Sequence, residues 1–196
     1  SFLLLSLSTH AQTWTTLGSG GFSAGYADYI SMAIDGNDTA YVAFSDYSKS
    51  QKAIVMKYNG SSWVPVGSSA IISGDYALNL KLRFYSNDTV YVGYRNGSNS
   101  RAVVRKFDGT NWVQIGSASA TTTTAAFDIS DDDTLYFAHT TNNLDVSVRK
   151  YTGSSWDLVG SLAFAKAYGK TYTISIGANE TPYLAYRDQT AGRRLT

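Results

Sequence analysis

Cysteine is absent from the 196 residues, which excludes a disulfide framework, a thiolate nucleophile and any cysteine-based zinc site. Good helix formers are scarce: Glu180 is the only glutamate, and no long stretch repeats its apolar residues at helical spacing. Charge of one sign is missing too. Sixteen basic against fifteen acidic residues leave +1, too weak a field to draw in a nucleic-acid backbone or an anionic membrane. The one conspicuous apolar run, residues 1–8, is too short to span a bilayer as a helix. A Gly-x-Ser-x-Gly elbow, a phosphate loop and a His-Glu-x-x-His helix are also missing, so no catalytic residue, cofactor or metal is assigned.

The apolar run, followed by Ser8-Thr-His-Ala11 before Gln12, resembles the end of a secretory signal peptide with a small-residue cleavage site. Residues 1–11 are therefore read as a signal-peptide remnant, and the mature chain, 12–196, as secreted or displayed at the cell surface. A buried first strand over residues 2–7 is the alternative.

What the chain has in plenty is aromatic and β-branched residues: 15 Tyr, 8 Phe and 4 Trp beside many Val, Ile and Thr, the set that suits a pleated, half-buried surface. The tryptophans repeat. Trp14, Trp63, Trp112 and Trp156 each open a phrase that ends in glycine, as in Trp63-Val-Pro-Val-Gly67 and Trp112-Val-Gln-Ile-Gly116. Three of them follow a second phrase, Lys57-Tyr-Asn-Gly-Ser-Ser62 and its copies from Lys106 and Lys150. A third phrase occurs from Asp38, Asp88, Asp133 and Glu180, as in Asp38-Thr-Ala-Tyr-Val-Ala-Phe44. Three phrases recurring in one order define a unit of 44–49 residues.

Each unit reads as four short strands. The first covers residues 30–34, with copies at 80–85, 125–130 and 172–176. A polar turn follows, then the Tyr-Val-Ala-Phe strand, a third strand at 53–58, 102–107 and 146–151, and the Trp strand. Asn59-Gly60 and Asp108-Gly109 are hairpin dipeptides. In the second strand Tyr41 and Ala43 point one way, Val42 and Phe44 the other. Both faces are apolar, whereas a sandwich sheet wets one of them. Blades packed face to face around an axis cover both, so the expected fold is all-β, a β-propeller of four-stranded antiparallel blades; a β-solenoid is the competitor. The small residues Ala43, Gly93, Ala138 and Ala185 suit close approach of a neighbouring blade. From Trp14 the chain counts as a lone fourth strand, three full sets of strands and two strands more. The arc is thus expected to be incomplete, about four blades, and truncated at the C-terminus.

The phrases resemble those of secreted bacterial repeat proteins with blades of the form Trp-x-x-Val-Gly, Tyr-Val-Ala-Tyr-x-Asp and Lys-Tyr-Asp-Gly-Ser-Ser-Trp, over residues 13–196. The resemblance implies fold and location, and no activity. The third unit departs most: it is shorter, has Thr121 to Thr124 where that family has a Gly-rich loop, and carries His139 at the aromatic position.

Among candidate functional residues, Asp38, Asp88, Asp133 and Glu180 recur once per unit at a turn, where the expectation is a side chain that caps turn backbone; calcium is the alternative. The Gly-Ser-Ser-Trp phrase is similar to the sialidase Asp-box but imperfect, and Arg83, Arg95 and Arg187 are read as sitting at unrelated positions rather than as a carboxylate-gripping cluster. His139 is read as structural. The Asn-x-Ser/Thr triplets from Asn37, Asn59, Asn87, Asn96 and Asn179 are read as turn residues. Ligand-binding candidates are Tyr47, Arg95 and Arg187, in the polar loops 45–52, 95–101 and 187–193, where exposed aromatics can stack on sugar rings. The function expected is noncatalytic binding or adhesion at the cell surface to a protein or glycan ligand. The alternatives are the propeller portion of a secreted carbohydrate-active enzyme, hydrolase or lyase, and a structural spacer.

Overall fold

The computed structural model describes residues 13–85, 87–116, 122 and 124–196; the signal-peptide reading of residues 1–11 lies outside them. The strands come in sets. In blade 1, β1 (Ala27–Ile34), β2 (Ala40–Asp46), β3 (Lys52–Tyr58) and β4 (Trp63–Pro65) pair antiparallel in that order. Blade 2 repeats this with β5 (Ile71–Phe84), β6 (Val90–Asn96), β7 (Arg101–Phe107) and β8 (Trp112–Gln114). Blade 3 is built from β9 (Thr124–Ile129), β10 (Leu135–Thr140), β11 (Asp145–Tyr151) and β12 (Trp156–Val159). In blade 4, β13 (Ala165–Gly177) pairs with β14 (Thr181–Asp188), and Leu195 bridges to Arg187. No α-helix occurs among the described residues.

The repeated phrases keep one register. Tyr41, Tyr91 and Tyr136 stand opposite Lys57, Lys106 and Lys150, while Trp63, Trp112 and Trp156 stand opposite Tyr58, Phe107 and Tyr151. Two strands are longer than the sequence suggests. β5 begins along β3, with Ile71 opposite Ile54 and Tyr76 opposite Lys52, and ends as the partner of β6. β13 passes likewise from β11 to β14. The extended chain that leaves a Trp strand completes the outer edge of one blade before it opens the next, and Ser73 Oγ accepts the Ala53 N–H at 2.9 Å along that edge. The strand expected at Trp14 is not formed. Trp14 is fully exposed, and residues 13–17 have no strand alongside to supply a hydrogen-bonded ladder.

Side-chain alternation places blades 2 and 3 each between two cores. Val92 and Tyr94 of β6 join Ala43, Val55 and Leu82 between blades 1 and 2, while Tyr91 joins Phe127, Leu135 and Phe137 between blades 2 and 3. Tyr136 and Ala138 face Ile174 of blade 4 in the next cluster. Full burial of a side chain such as Leu82 or Val92 contributes about 1.5–3 kcal/mol. The first strands pack in succession, β1 on β5, β5 on β9 and β9 on β13. Polar ties link them: Leu82 N–H donates to Ser31 Oγ at 2.9 Å, Arg83 Nε to Asp128 Oδ1 at 2.8 Å, and Ile176 N–H to Asp128 Oδ2 at 3.1 Å. At the outer edge Trp63 and Trp112 donate Nε1–H to the Leu17 and Val66 carbonyls of the preceding repeat, at 3.0 and 2.9 Å. Four-stranded blades stacked face to face in this way form a β-propeller arrangement.

Candidate functional site

The antiparallel blades present two ends: one carries the β1–β2 type and β3–β4 type turns, the other the β2–β3 type loops and the crossovers between blades. The loops of the second end are capped alike. Asp46 Oδ1 accepts the Ser48 N–H at 2.8 Å, Asn96 Oδ1 the Ser98 N–H at 2.9 Å, Thr141 Oγ1 the Asn143 N–H at 3.3 Å, and Asp188 Oδ1 the Thr190 N–H at 2.6 Å. These side chains mimic a backbone turn and hold each loop in one shape.

All three ligand-binding candidates read from the sequence lie at this loop end. Tyr47 follows the Asp46 cap, donates its N–H to Tyr26 O at 2.9 Å and meets the Tyr26 ring edge to face at 4.9 Å. Blade 2 shows why both rings stay in solvent. There Gly97 takes the place of Tyr47, donating to Tyr76 O at 2.9 Å, and the Tyr76 ring lies against it with its hydroxyl on Gly97 O at 2.7 Å. A Cβ on Gly97 would overlap that ring. A tyrosine in the glycine's place therefore denies Tyr26 the resting position of Tyr76, leaving Tyr26 69% and Tyr47 46% exposed.

Arg95 and Arg187 occupy equivalent positions, each following the tyrosine that ends its strand's aromatic pattern, which corrects the reading of them as unrelated. The phrase spacing carries the sign of this, since Asp88 to Arg95 and Glu180 to Arg187 both span seven positions. Their surroundings differ. The Arg95 guanidinium is half-buried and donates to Thr122 O at 2.9 Å and Ser100 Oγ at 2.7 Å, fastening the crossover into blade 3. Arg187 is exposed, donates Nε–H to Tyr168 O at 3.2 Å and lies 4.6 Å from the Tyr168 ring centre; Arg193 lies 4.0 Å from the same centre. Each candidate thus has partners of its own, and Tyr26 and Tyr168 are neighbours of these candidates that the sequence reading missed. The spacing of Tyr26-Ala27 to Tyr76-Ala77, one repeat length, was the available sign for Tyr26.

At the turn end two of the recurrent acids reach beyond their own turns. The β1–β2 turn is capped by Asp35 Oδ1, on the Asn37 and Thr39 N–H groups at 2.9 and 2.8 Å, and its blade 2 copy by Asn87 Oδ1 on Thr89 N–H at 3.1 Å. Asp88 instead accepts Gly36 N–H of blade 1 at 2.7 Å, and Glu180 accepts the Tyr136 hydroxyl of blade 3 at 3.1 Å. The backbone of Asp38, Asp88, Asp133 and Glu180 is left-handed, at φ 60°, 60°, 66° and 57°. At Asp88 and Glu180 the side chain ties blade to blade. Burial and the Glu180 carboxylate push the Tyr136 phenol up to about 12. A groove of about 640 Å³ between blades 2 and 3 is lined by Tyr85, Asp88, Tyr91, Lys106, Asp108 and Asp133 among others, but its acids are engaged: Asp108 Oδ1 caps Thr110 and Asn111 at 2.9 and 2.7 Å. Among the described residues no three His, Asp or Glu side chains are placed to hold a metal ion. His139 is buried, 1% exposed, between blades 2 and 3.

No family model matches the chain, and no curated protein matches it by sequence. Solved structures match its fold. A triple arginine-to-alanine mutant of AofleA from Arthrobotrys oligospora superposes with a TM-score of 0.61 at 9% identity, covering 88% of this chain and 53% of that one. A variant of the Aleuria aurantia lectin in complex with Fucα1-6GlcNAc gives 0.57 at 15% identity, covering 82% and 56%. An engineered GH43 glycoside hydrolase with endo-xylanase and exo-arabinofuranosidase activity gives 0.55 at 17% identity, covering 87% and 38%. The fold is a β-propeller. The chain spans about half the length of the first two proteins.

Proposed function

We propose that the chain is a noncatalytic, glycan-binding adhesion module of an extracellular protein, and that it belongs with the secreted bacterial propeller-repeat proteins its phrases resemble. The observation that carries this reading is the Tyr26–Tyr47 pair. Two large rings, 69% and 46% exposed, are held edge to face on a capped loop and belong to none of the buried clusters. Rings of this size ordinarily gain by burial, and rings already fixed lose little freedom when the apolar face of a sugar stacks on them. The lectin and glycoside hydrolase of similar fold support carbohydrate as the ligand class.

Glycan-array screening of the full chain, followed by calorimetry on the best ligand, tests the reading. The double variant Tyr26→Ala/Tyr47→Ala is expected to bind about tenfold more weakly, about 1.4 kcal/mol, with an unchanged melting curve. Unaltered affinity in that variant removes the tyrosine pair from the reading. Release of free sugar from the bound oligosaccharide would make the chain the propeller portion of a carbohydrate-active enzyme.

A further inference from the structure

The loop after β14 differs from its counterparts in one respect. Every described loop of this end contains a residue with left-handed backbone: Gln51 at φ 57°, Ser100 at 56°, Leu144 at 66° and Arg193 at 65°. In blades 1 and 4 the residue is locked the same way, Gln51 N–H on Asp46 O at 2.9 Å and Arg193 N–H on Asp188 O at 2.8 Å. The scaffold therefore fixes the direction of the side chain, and only blade 4 puts a cation there. Arg193 and Arg187 converge on the ring of Tyr168, 4.0 and 4.6 Å from its centre. Two guanidinium carbons so placed lie within about 9 Å of each other, inside the screening length of physiological salt.

Like charges brought this close repel unless an anion compensates them, and no carboxylate among the described residues lies within ion-pair distance of either guanidinium. The loop's single acidic side chain, Asp188, spends Oδ1 on the Thr190 N–H and hydroxyl at 2.6 and 2.7 Å and on the Ala191 N–H at 3.1 Å. Asp145 is paired with Lys166 at 2.7 Å. Neither arginine makes an ion pair with a described residue. Residues 163–196 carry five basic side chains (Lys166, Lys170, Arg187, Arg193, Arg194) against two acids (Glu180, Asp188), although the whole chain is at only +1. The Tyr168 ring attracts both cations through its π-face. With Nε of Arg187 on Tyr168 O, its terminal amino groups remain as donors with the forked geometry that suits an oxyanion.

We infer that Tyr168, Arg187 and Arg193 form a clamp for an oxyanion carried on a sugar ring, a sulfate ester or a uronate carboxylate. The inference rests on the glycan-binding reading and narrows it to acidic glycans; Tyr168 is the positioning residue and the two arginines are the contacts.

The experiment titrates the full chain with one oligosaccharide in three forms, neutral, O-sulfated and oxidised to the uronate, and with inorganic sulfate alone. The expected result is at least tenfold tighter binding of the sulfated or uronate form than of the neutral one. That gain should vanish in Arg187→Gln/Arg193→Gln, and at about 0.5 M NaCl, while neutral-sugar affinity and melting temperature stay as they were. Tyr168→Leu should lose the gain in part, since it releases the arginines without removing them. Equal affinity for neutral and acidic forms overturns the clamp and leaves the glycan reading standing. Binding of inorganic sulfate as tight as that of the sulfated sugar, with no neutral sugar bound, overturns the glycan reading and makes the arginines a bare anion site. A gain that survives in the double glutamine variant places the acidic-sugar site elsewhere and overturns the assignment.

Discussion

Blades 2 and 3 set the same scaffold problem and meet it with different residues. In blade 2 Tyr94 lies in β6, and its hydroxyl accepts from Arg105 Nε at 3.3 Å while Arg105 Nη1 donates to Trp112 O at 3.0 Å. In blade 3 Arg149 repeats the second bond, Nη1 to Trp156 O at 2.9 Å, but His139 stands in the tyrosine's place. Neither ring nitrogen of His139 nor Nε of Arg149 has a hydrogen-bond partner among the described residues. Backbone register survives the exchange: His139 lies opposite Ser147 just as Tyr94 lies opposite Val103. Register is set by ladder bonds and by the apolar pattern, so it tolerates a changed side chain. Polar satisfaction depends on that side chain's length, and each buried polar group left unpaired costs about 1–3 kcal/mol. The junction between blades 2 and 3 therefore keeps unpaired the kind of group that the junction between blades 1 and 2 pairs.

The largest expected effect of this difference is on pH dependence. Burial first, and the Arg149 guanidinium second, push His139 from 6.5 down to about 4. Above pH 6.5 the imidazole is neutral whether the chain is folded or not. Between 6.5 and 4 the unfolded chain takes up a proton that the folded chain refuses, so stability falls as pH falls; below 4 both forms are protonated and the loss stops. The full depression is worth about 3 kcal/mol. Unfolding free energies from urea melts at pH 7 and pH 4.5 should differ by most of that amount, and His139→Phe, which copies Phe44 of blade 1, should flatten the difference. His139 is the only histidine among the described residues. Asp132, held down to about 2 by the Ser130 hydroxyl and then Glu180, loses its contribution only below the ordinary carboxylate range. A midpoint that stays level across the window would show that the imidazole is not excluded from protons.

A middle-sized effect separates the small residues of the two blades. Gly93 and Ala138 are equivalent, but a Cβ on Gly93 would sit 2.9 Å from Phe127 Cγ, inside the van der Waals limit. Ala138 already packs without exposure beside Ile174. Gly93→Ala is expected to destabilise by about 1–3 kcal/mol through overpacking, whereas Ala138→Gly should cost about 1 kcal/mol from lost burial and added chain freedom. Thermal or urea melts of the two variants, measured side by side, check the order; reversal would mean Phe127 moves aside freely.

Much of this was legible in the sequence, and the reason is geometric. A blade covered on both faces needs apolar residues at consecutive positions, and Tyr91-Val-Gly-Tyr94 shows them without reference to any neighbour. Close approach of a blade announces itself as Gly93. Ties between blades were not legible, since the atoms they join lie about one repeat apart: Asp88 reaches Gly36 across 52 positions and Tyr136 reaches Glu180 across 44. A repeated acid looks like a cap of its own turn until the preceding turn is placed beside it. The surroundings of Arg95 were hidden for the same reason, because the carbonyl it donates to, Thr122 O, arrives from the next crossover. Tyr47 stood out by type, but its exposure depends on Tyr26, whose partner choice is visible only when Gly97 is set against it.

The smallest effect is the most specific to the blade comparison. His139→Tyr would give Arg149 the acceptor that Arg105 finds in Tyr94. A neutral hydrogen bond contributes about 1 kcal/mol, and one to a charged donor somewhat more. The gain is limited by packing, because the phenol must extend past Phe137, whose ring lies 5.2 Å from that of His139. The variant is expected to be about 1 kcal/mol more stable at pH 7 and to have no titration between 6.5 and 4. The mirror change, Tyr94→Phe, leaves Arg105 Nε unpaired and should cost about 1 kcal/mol at every pH. Combining the two tests whether the junctions act separately. Tyr94 packs between blades 1 and 2 and His139 between blades 2 and 3, so the changes should add within about 0.5 kcal/mol. Strong non-additivity would mean that blade 2 passes strain from one junction to the other, and that the blades are not the independent units their repetition implies.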